Sequence, residues 1–120
     1  MRISGAESLV MEALWRDSPR SAEQIAADVG PAQGWSEATV KTLINRLLKK
    51  KAIEAERDGR RYLYRPRLER GDWVARESAG LIDRLFEGRV APLVSHFSKA
   101  RKLSPEDVAE LKRIIAELDP

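Results

Sequence analysis

Hydrophobic and polar positions alternate with helical spacing over much of the chain, and the clearest example lies between residues 36 and 50. The aliphatic residues there follow the i, i+3, i+4, i+7, i+8 spacing of one apolar helix face, and they are Val40, Leu43, Ile44, Leu47 and Leu48. Ser36, just before them, is a favourable N-cap residue. The pattern therefore predicts an amphipathic helix that begins after Ser36.

Two shorter helices are predicted before this one. Each begins with a serine followed three residues later by Glu or Gln, the spacing of a capping box; the pairs are Ser4 with Glu7 and Ser21 with Gln24. The first helix is expected over about residues 5–16. The second is expected to be short and to end at Gly30-Pro31, because glycine and proline both disfavour continuation of a helix.

After Lys51 the hydrophobic period changes from 3.6 residues to two, which is typical of strands. Ile53 and Ala55 alternate with acidic residues, and Asp58-Gly59 is a favourable hairpin turn. A return strand follows and ends at Pro66. The sequence thus predicts a β-hairpin whose tip is rich in arginine.

The remaining residues are predicted to form three helices, over about 69–87, from Val90 to Phe97, and from Pro105 to Leu118. The predicted fold is mainly α: a winged helix-turn-helix of three helices plus a β-hairpin wing, followed by a C-terminal helical dimerisation segment. Residues 1–68 are assigned to the winged-helix DNA-binding domain and residues 69–120 to the helical dimerisation domain.

The outward face of the third helix carries the candidate chemistry. Its residues are small, polar or basic, with Lys41 at the edge; they are Ala38, Thr42, Asn45, Arg46 and Lys49. Short polar side chains let a helix approach base edges in a major groove, while Arg and Lys reach bases or phosphates. Arg60 and Arg61 at the hairpin tip suit a wing that contacts phosphates or the minor groove.

The charge distribution supports this interpretation. Residues 36–67 hold ten Lys or Arg against four acids, a local balance of +6, whereas residues 69–120 have a balance of −1. Charge alone is equally compatible with an ordinary solvated basic face. The joint occurrence of the helix order, the polar face and the basic wing favours nucleic-acid binding.

Composition argues against several other classes of protein. The chain has no cysteine, which excludes disulfides, thiol nucleophiles and cysteine-based metal sites, and its single histidine, His96, is expected to have a structural role. Neither a glycine-rich phosphate loop nor a pair of carboxylates in an apolar setting indicates an enzyme. No cofactor and no metal are expected. With no signal peptide or membrane-length apolar run, we expect a cytoplasmic protein without membrane insertion.

The C-terminal aliphatic and aromatic residues have little of their own domain to pack against, so a second copy of the chain is the expected partner. The residues expected in this homodimer interface are Leu81, Ile82, Leu85, Phe86, Leu93, Val94, Phe97, Leu111, Ile115 and Leu118.

Several motifs resemble one known family. They are Gly34-Trp35-Ser36, Thr39-Val40-Lys41-Thr42-Leu43, Asn45-Arg46-Leu47, Asp58-Gly59-Arg60-Arg61-Tyr62-Leu63-Tyr64 and Leu85-Phe86-Glu87-Gly88. In this order they resemble the penicillinase repressor family, of BlaI/MecI type, over almost the whole chain.

The resemblance implies a dimeric transcriptional repressor that binds a palindromic operator on double-stranded DNA. By position, the recognition-helix contacts of the family correspond to Thr39, Lys41, Thr42 and Arg46, and its wing contacts to Arg60 and Arg61. In well-known members a membrane sensor protease leads to a cut before a phenylalanine in the C-terminal segment. The matching bond is His96-Phe97, with histidine where those members have asparagine.

The alternative is a winged helix that serves only protein–protein contacts, without operator-specific DNA binding. Such a module does not require a basic recognition face. Affinity for mixed-sequence duplex DNA, and its dependence on salt, distinguishes the two hypotheses.

Overall fold

The computed structural model describes residues 2–118, and this part of the chain contains six helices and one small antiparallel sheet. In chain order the elements are α1 (Gly5–Arg16), β1 (Arg20–Ser21), α2 (Ala22–Gln33), α3 (Glu37–Lys49), β2 (Ile53–Asp58), β3 (Arg61–Pro66), α4 (Arg70–Phe86), α5 (Val90–Lys99) and α6 (Pro105–Leu118). The predicted mainly α fold with a hairpin wing is confirmed.

The hydrophobic core lies among α1, α2, α3 and the start of β2. Its residues are Ile3, Val10, Met11, Ala13, Leu14, Ile25, Val29, Val40, Leu43, Ile44, Leu47, Ala52 and Ile53. Both predicted capping boxes are present: Ser4 Oγ accepts from the Glu7 amide at 3.1 Å, and Ser21 Oγ accepts from the Gln24 amide at 3.2 Å. The apolar spacing and the caps therefore determine where α1 and α2 begin.

The predicted end of α2 is wrong. The helix continues through Pro31 to Gln33, and it ends at Gly34, which adopts the left-handed conformation with φ of 70°. Gly30 instead allows a close approach: the Trp35 amide donates to its carbonyl at 3.0 Å, and a Cβ there would lie 3.0 Å from the Trp35 oxygen. A side chain at residue 30 would thus press on the Trp35 backbone, whereas Gly34 terminates the helix.

The hairpin belongs to a three-stranded sheet of order β1-β3-β2, and β1 was missed by the sequence pattern. In β1, Arg20 pairs with Tyr64 and Ser21 with Leu63. Arg20 also donates to the carbonyls of Ala13 and Asp17. A two-residue strand has no hydrophobic period of its own, so only its partner strand defines it.

Asp28 of α2 connects the second helix to the first. Its Oδ2 accepts from Arg16 and from Arg20, each at 3.0 Å. The guanidinium groups of Arg16 and Arg20 hold the pKa of Asp28 below its ordinary value, despite partial desolvation. These contacts join the end of α1 and strand β1 to α2.

The chain divides into two compact units, the first ending at Trp73 and the second beginning at Val74. In the first unit, Trp73 packs against Trp15 with ring centroids 5.5 Å apart, and Arg70 pairs with Glu12 at 2.9 Å. The first turn of α4 therefore packs with the N-terminal core, five residues beyond the expected boundary at residue 68. Among residues 2–118, no helix is both long and apolar enough to cross a bilayer.

In the second unit, the residues from 74 to 118 include no fully buried side chain. Leu85 is 60% exposed, Ile115 63% and Leu118 78%. Ile82, Phe86, Leu93, Val94 and Leu111 are half-buried. The described residues of this unit, 74–118, thus form amphipathic helices without a closed core.

Candidate DNA-binding surface

Helix α3 is held firmly on one face and is free on the other. Val40, Leu43, Ile44 and Leu47 are buried in the core. At its start, Ser36 Oγ accepts from the Thr39 amide at 3.2 Å, which confirms Ser36 as the N-cap. The helix can therefore present its outer face as a rigid surface.

Every residue predicted for the recognition face is exposed on α3: Ala38, Thr39, Lys41, Thr42, Asn45, Arg46 and Lys49. Thr42 Oγ1 donates to the Ala38 carbonyl at 3.1 Å. Lys41 Nζ lies 3.6 Å from Glu37 Oε1, a long and exposed pair. The face thus combines small groups, an amide and three cations, the set that can read base edges and phosphates.

The wing is a tight hairpin in which Asp58 pairs with Arg61, so that Gly59 and Arg60 form the turn. Gly59 has φ of 65°, a conformation that glycine adopts without strain. Arg60 and Arg61 are both exposed at this tip, as predicted. Their position suits contact with a phosphate backbone.

Ion pairs within the hairpin reduce its effective positive charge, which sequence reasoning did not anticipate. Arg61 pairs with Asp58 at 3.2 Å, and the same pattern recurs along the strands. The further pairs are Arg65 with Glu56 and Arg67 with Glu54. Within residues 2–118, Arg60 makes no such pair. Arg60 is therefore the wing cation that is available without breaking an existing contact.

Five residues adjacent to this surface were not assigned to it from the sequence. Ser21 of β1, Ala22 and Glu23 of α2, and Tyr62 and Tyr64 of β3 line a cavity together with Lys41 and Arg61. Tyr62 and Tyr64 occupy alternate positions on one side of β3, and this pattern is the sequence signal that could have assigned them to the surface. Their proximity to α2 follows from the pairing of β1 with β3.

The other predicted sites lie in the second unit. His96 and Phe97 are exposed on α5, with ring centroids 5.6 Å apart in an edge-on arrangement. The bond between them lies inside a helix. In the part of the chain from residue 2 to 118, no group of three or more His, Cys, Asp or Glu is placed to hold a metal ion.

Comparison with known proteins decides the family. Residues 3–117 match the sequence profile described as Penicillinase repressor. The chain belongs to the penicillinase repressor family. It is a DNA-binding transcriptional repressor and not an enzyme, in agreement with the expectation from the sequence.

Two similar relatives and one solved structure illustrate the membership. The chain is 29% identical over 116 residues to the Penicillinase repressor of Bacillus licheniformis, covering 97% of this chain and 91% of that protein. It is 32% identical over 113 residues to the Methicillin resistance regulatory protein MecI of Staphylococcus aureus strain N315, covering 94% and 92%.

The structure is that of the monomeric form of Bacillus licheniformis BlaI in complex with the blaP half-operator. It is 30% identical with a TM-score of 0.53, and the match covers 60% of this chain and 88% of that one. The similarity supports the winged-helix assignment.

Proposed function

We propose that this repressor binds a palindromic operator as a homodimer, with α3 in the major groove and the wing against neighbouring phosphates. The observation that supports this most directly is the exposed face of α3, where Thr42, Asn45 and Arg46 project from a helix whose other side is buried. A helix held this way can approach base edges without losing core contacts.

The second unit supports the dimer. Its helices expose large apolar side chains, including Leu85, Ile115 and Leu118, and its described residues contain no closed core. Burial of that surface against a second copy removes it from water and joins two recognition helices. The second half-site contact then becomes intramolecular, which can raise affinity about 10²- to 10⁴-fold.

Two further elements belong to the proposal. A DNA-binding repressor must have access to the DNA of the cell, so we place it in the cytoplasm. A membrane sensor protease is proposed as the source of induction, by cleavage at His96-Phe97. Because this bond lies within α5, α5 must open before a protease can bind it in an extended form. Cleavage would separate α6 from the rest of the chain.

Selection from random duplexes with the full-length protein tests the proposal, followed by titration of the selected site at several salt concentrations. Enrichment of a two-fold symmetric sequence and a steep negative salt slope are the expected results. A module used only for protein contacts would enrich no sequence. Enrichment of a single half-site by a monomer would contradict the dimer.

The cleavage step has a separate test. Mass spectrometry of the repressor from induced cells is expected to show a fragment that begins at Phe97, and Phe97→Ala is expected to abolish it. A repressor that stays intact while its target genes are expressed would contradict this route.

A further inference from the structure

A cavity of about 220 Å³ lies between the first turn of α2, the middle of α3 and strand β3. All of these elements belong to the first unit. Cavities that hold drug-sized ligands have volumes of about 300–1,000 Å³, so this smaller space suits a single ring with an acidic group attached. The cavity is thus the size of a small molecule and opens beside the recognition helix.

Two cations from different elements line this cavity, Lys41 of α3 and Arg61 of β3. Each side chain is 57% exposed, and each pairs with an acid of its own helix or hairpin. Among residues 2–118, no ion pair joins α3 to the wing across the cavity. Glu23, an exposed residue, is the acid in the lining, and an acidic group bound here has to compete with Glu37 for Lys41 and with Asp58 for Arg61. An anion is the kind of ligand that both cations would attract into this cavity.

The remaining lining favours a flat organic body over a bare inorganic ion. Tyr62 and Tyr64 occupy alternate positions of β3 and both reach the cavity. Tyr64 is half-buried against the core, whereas Tyr62 is 49% exposed. Two phenol rings supply apolar surface for a ring to pack on, and their hydroxyl groups can hydrogen-bond to an acid.

We propose that this cavity binds a small organic anion, a phosphate or carboxylate on a single ring, and that the bound molecule competes with the operator. Competition rests on the proposed function, in which α3 and the wing contact DNA, because Lys41 belongs to α3 and Arg61 to the wing. An anion that occupies both cations removes them from the DNA surface. A phosphate of the DNA backbone could contact the same two cations. The test therefore uses a free small molecule in the absence of DNA.

The probe is phenyl phosphate, titrated into the full-length protein at constant ionic strength and followed by calorimetry and by amide chemical shifts. We expect saturable binding, with shifts concentrated at the residues that line the cavity, and no saturation with phenol. Arg61→Gln is expected to weaken binding at least tenfold. Arg60→Gln is the matched control, because it removes a neighbouring charge that does not line the cavity, and it is expected to change binding less than twofold.

Lys41→Gln provides a second variant if Arg61→Gln lowers the melting temperature. It is also expected to weaken the binding of phenyl phosphate. Saturating phenyl phosphate is expected to weaken operator affinity at least fivefold in the unmodified protein. Absence of saturation, or equal losses in Arg60→Gln and Arg61→Gln, would overturn the inference and leave the cavity to a backbone phosphate. Operator titrations without the probe test the proposed function independently.

Discussion

Lys50 Nζ lies 2.6 Å from Glu7 Oε1, and this ion pair joins the C-terminal cap of α3 to the first turn of α1. Glu7 is only 1% exposed. Lys50 also donates to the Arg2 carbonyl at 2.7 Å. The recognition helix is therefore held at its far end by a charged contact as well as by its apolar face.

Replacement of Lys50 by methionine is expected to destabilise the protein by about 1–3 kcal/mol, because it leaves the Glu7 carboxylate buried without its cation. Lys49→Met is the matched control: Lys49 is exposed, and a change within about 0.5 kcal/mol is expected. Urea unfolding of the three proteins measures the difference. Equal stability of Lys50→Met and Lys49→Met would contradict the role of the pair.

The same pair predicts a dependence of stability on pH. Burial alone would raise the pKa of Glu7, but hydrogen bonds from Lys50 and Ser4 outweigh it and hold that pKa below its ordinary value. Because the folded-state pKa is lowered, the stabilisation is present above the unfolded value of about 4.3 and is lost as the pH falls through the folded-state value. The stability difference between the unmodified protein and Glu7→Gln should therefore shrink below about pH 4. A stability difference that stays constant from pH 7 to pH 3 would argue against a stabilising role of the ionised Glu7 carboxylate.

Arg46→Ala and Lys41→Ala are expected to weaken operator binding without altering the fold, because both side chains are exposed and lie outside the buried seam of α3. A base contact should cost about 1–3 kcal/mol and relax specificity at one position, whereas a phosphate contact should weaken all sequences alike. Arg113→Ala on α6 is the matched control, because Arg113 is an exposed helical arginine outside the DNA-binding surface. If both variants bind the operator as the unmodified protein does, the recognition-helix assignment is wrong.

Joint replacement of Arg60 and Arg61 by alanine is expected to reduce the slope of log affinity against log salt by at most about two units, since each arginine can neutralise one phosphate. The structure refines this expectation, because Arg61 already pairs with Asp58. Arg60→Ala alone should then account for the larger part of the reduction in this slope. A slope that the double variant leaves unchanged would show that the wing does not contact DNA.

Two fragments test the division of the chain. Both 1–68 and 1–73 are expected to be monomeric in sedimentation, while the full chain is dimeric. The longer fragment should be more stable by about 1–3 kcal/mol, because it retains the Trp15–Trp73 contact that the shorter one loses. Either fragment is expected to bind a palindrome more weakly than the full chain. A dimeric fragment would place the interface within the winged module.

Features that depend on neighbours in sequence could be derived from the sequence by itself. The helical spacing of Val40, Leu43, Ile44 and Leu47 and the Ser36 cap identify α3 and its exposed face, because both signals arise within a few turns of one helix. The Asp58-Gly59 turn identifies the wing for the same reason.

Features that depend on distant contacts were decided only by the tertiary structure. β1 exists because Arg20 and Ser21 pair with a strand more than forty residues later. The cavity between Lys41 and Arg61 likewise requires α3 and β3 to be brought together. Such pairings join residues that no local spacing relates, so they become defined only when the core has formed.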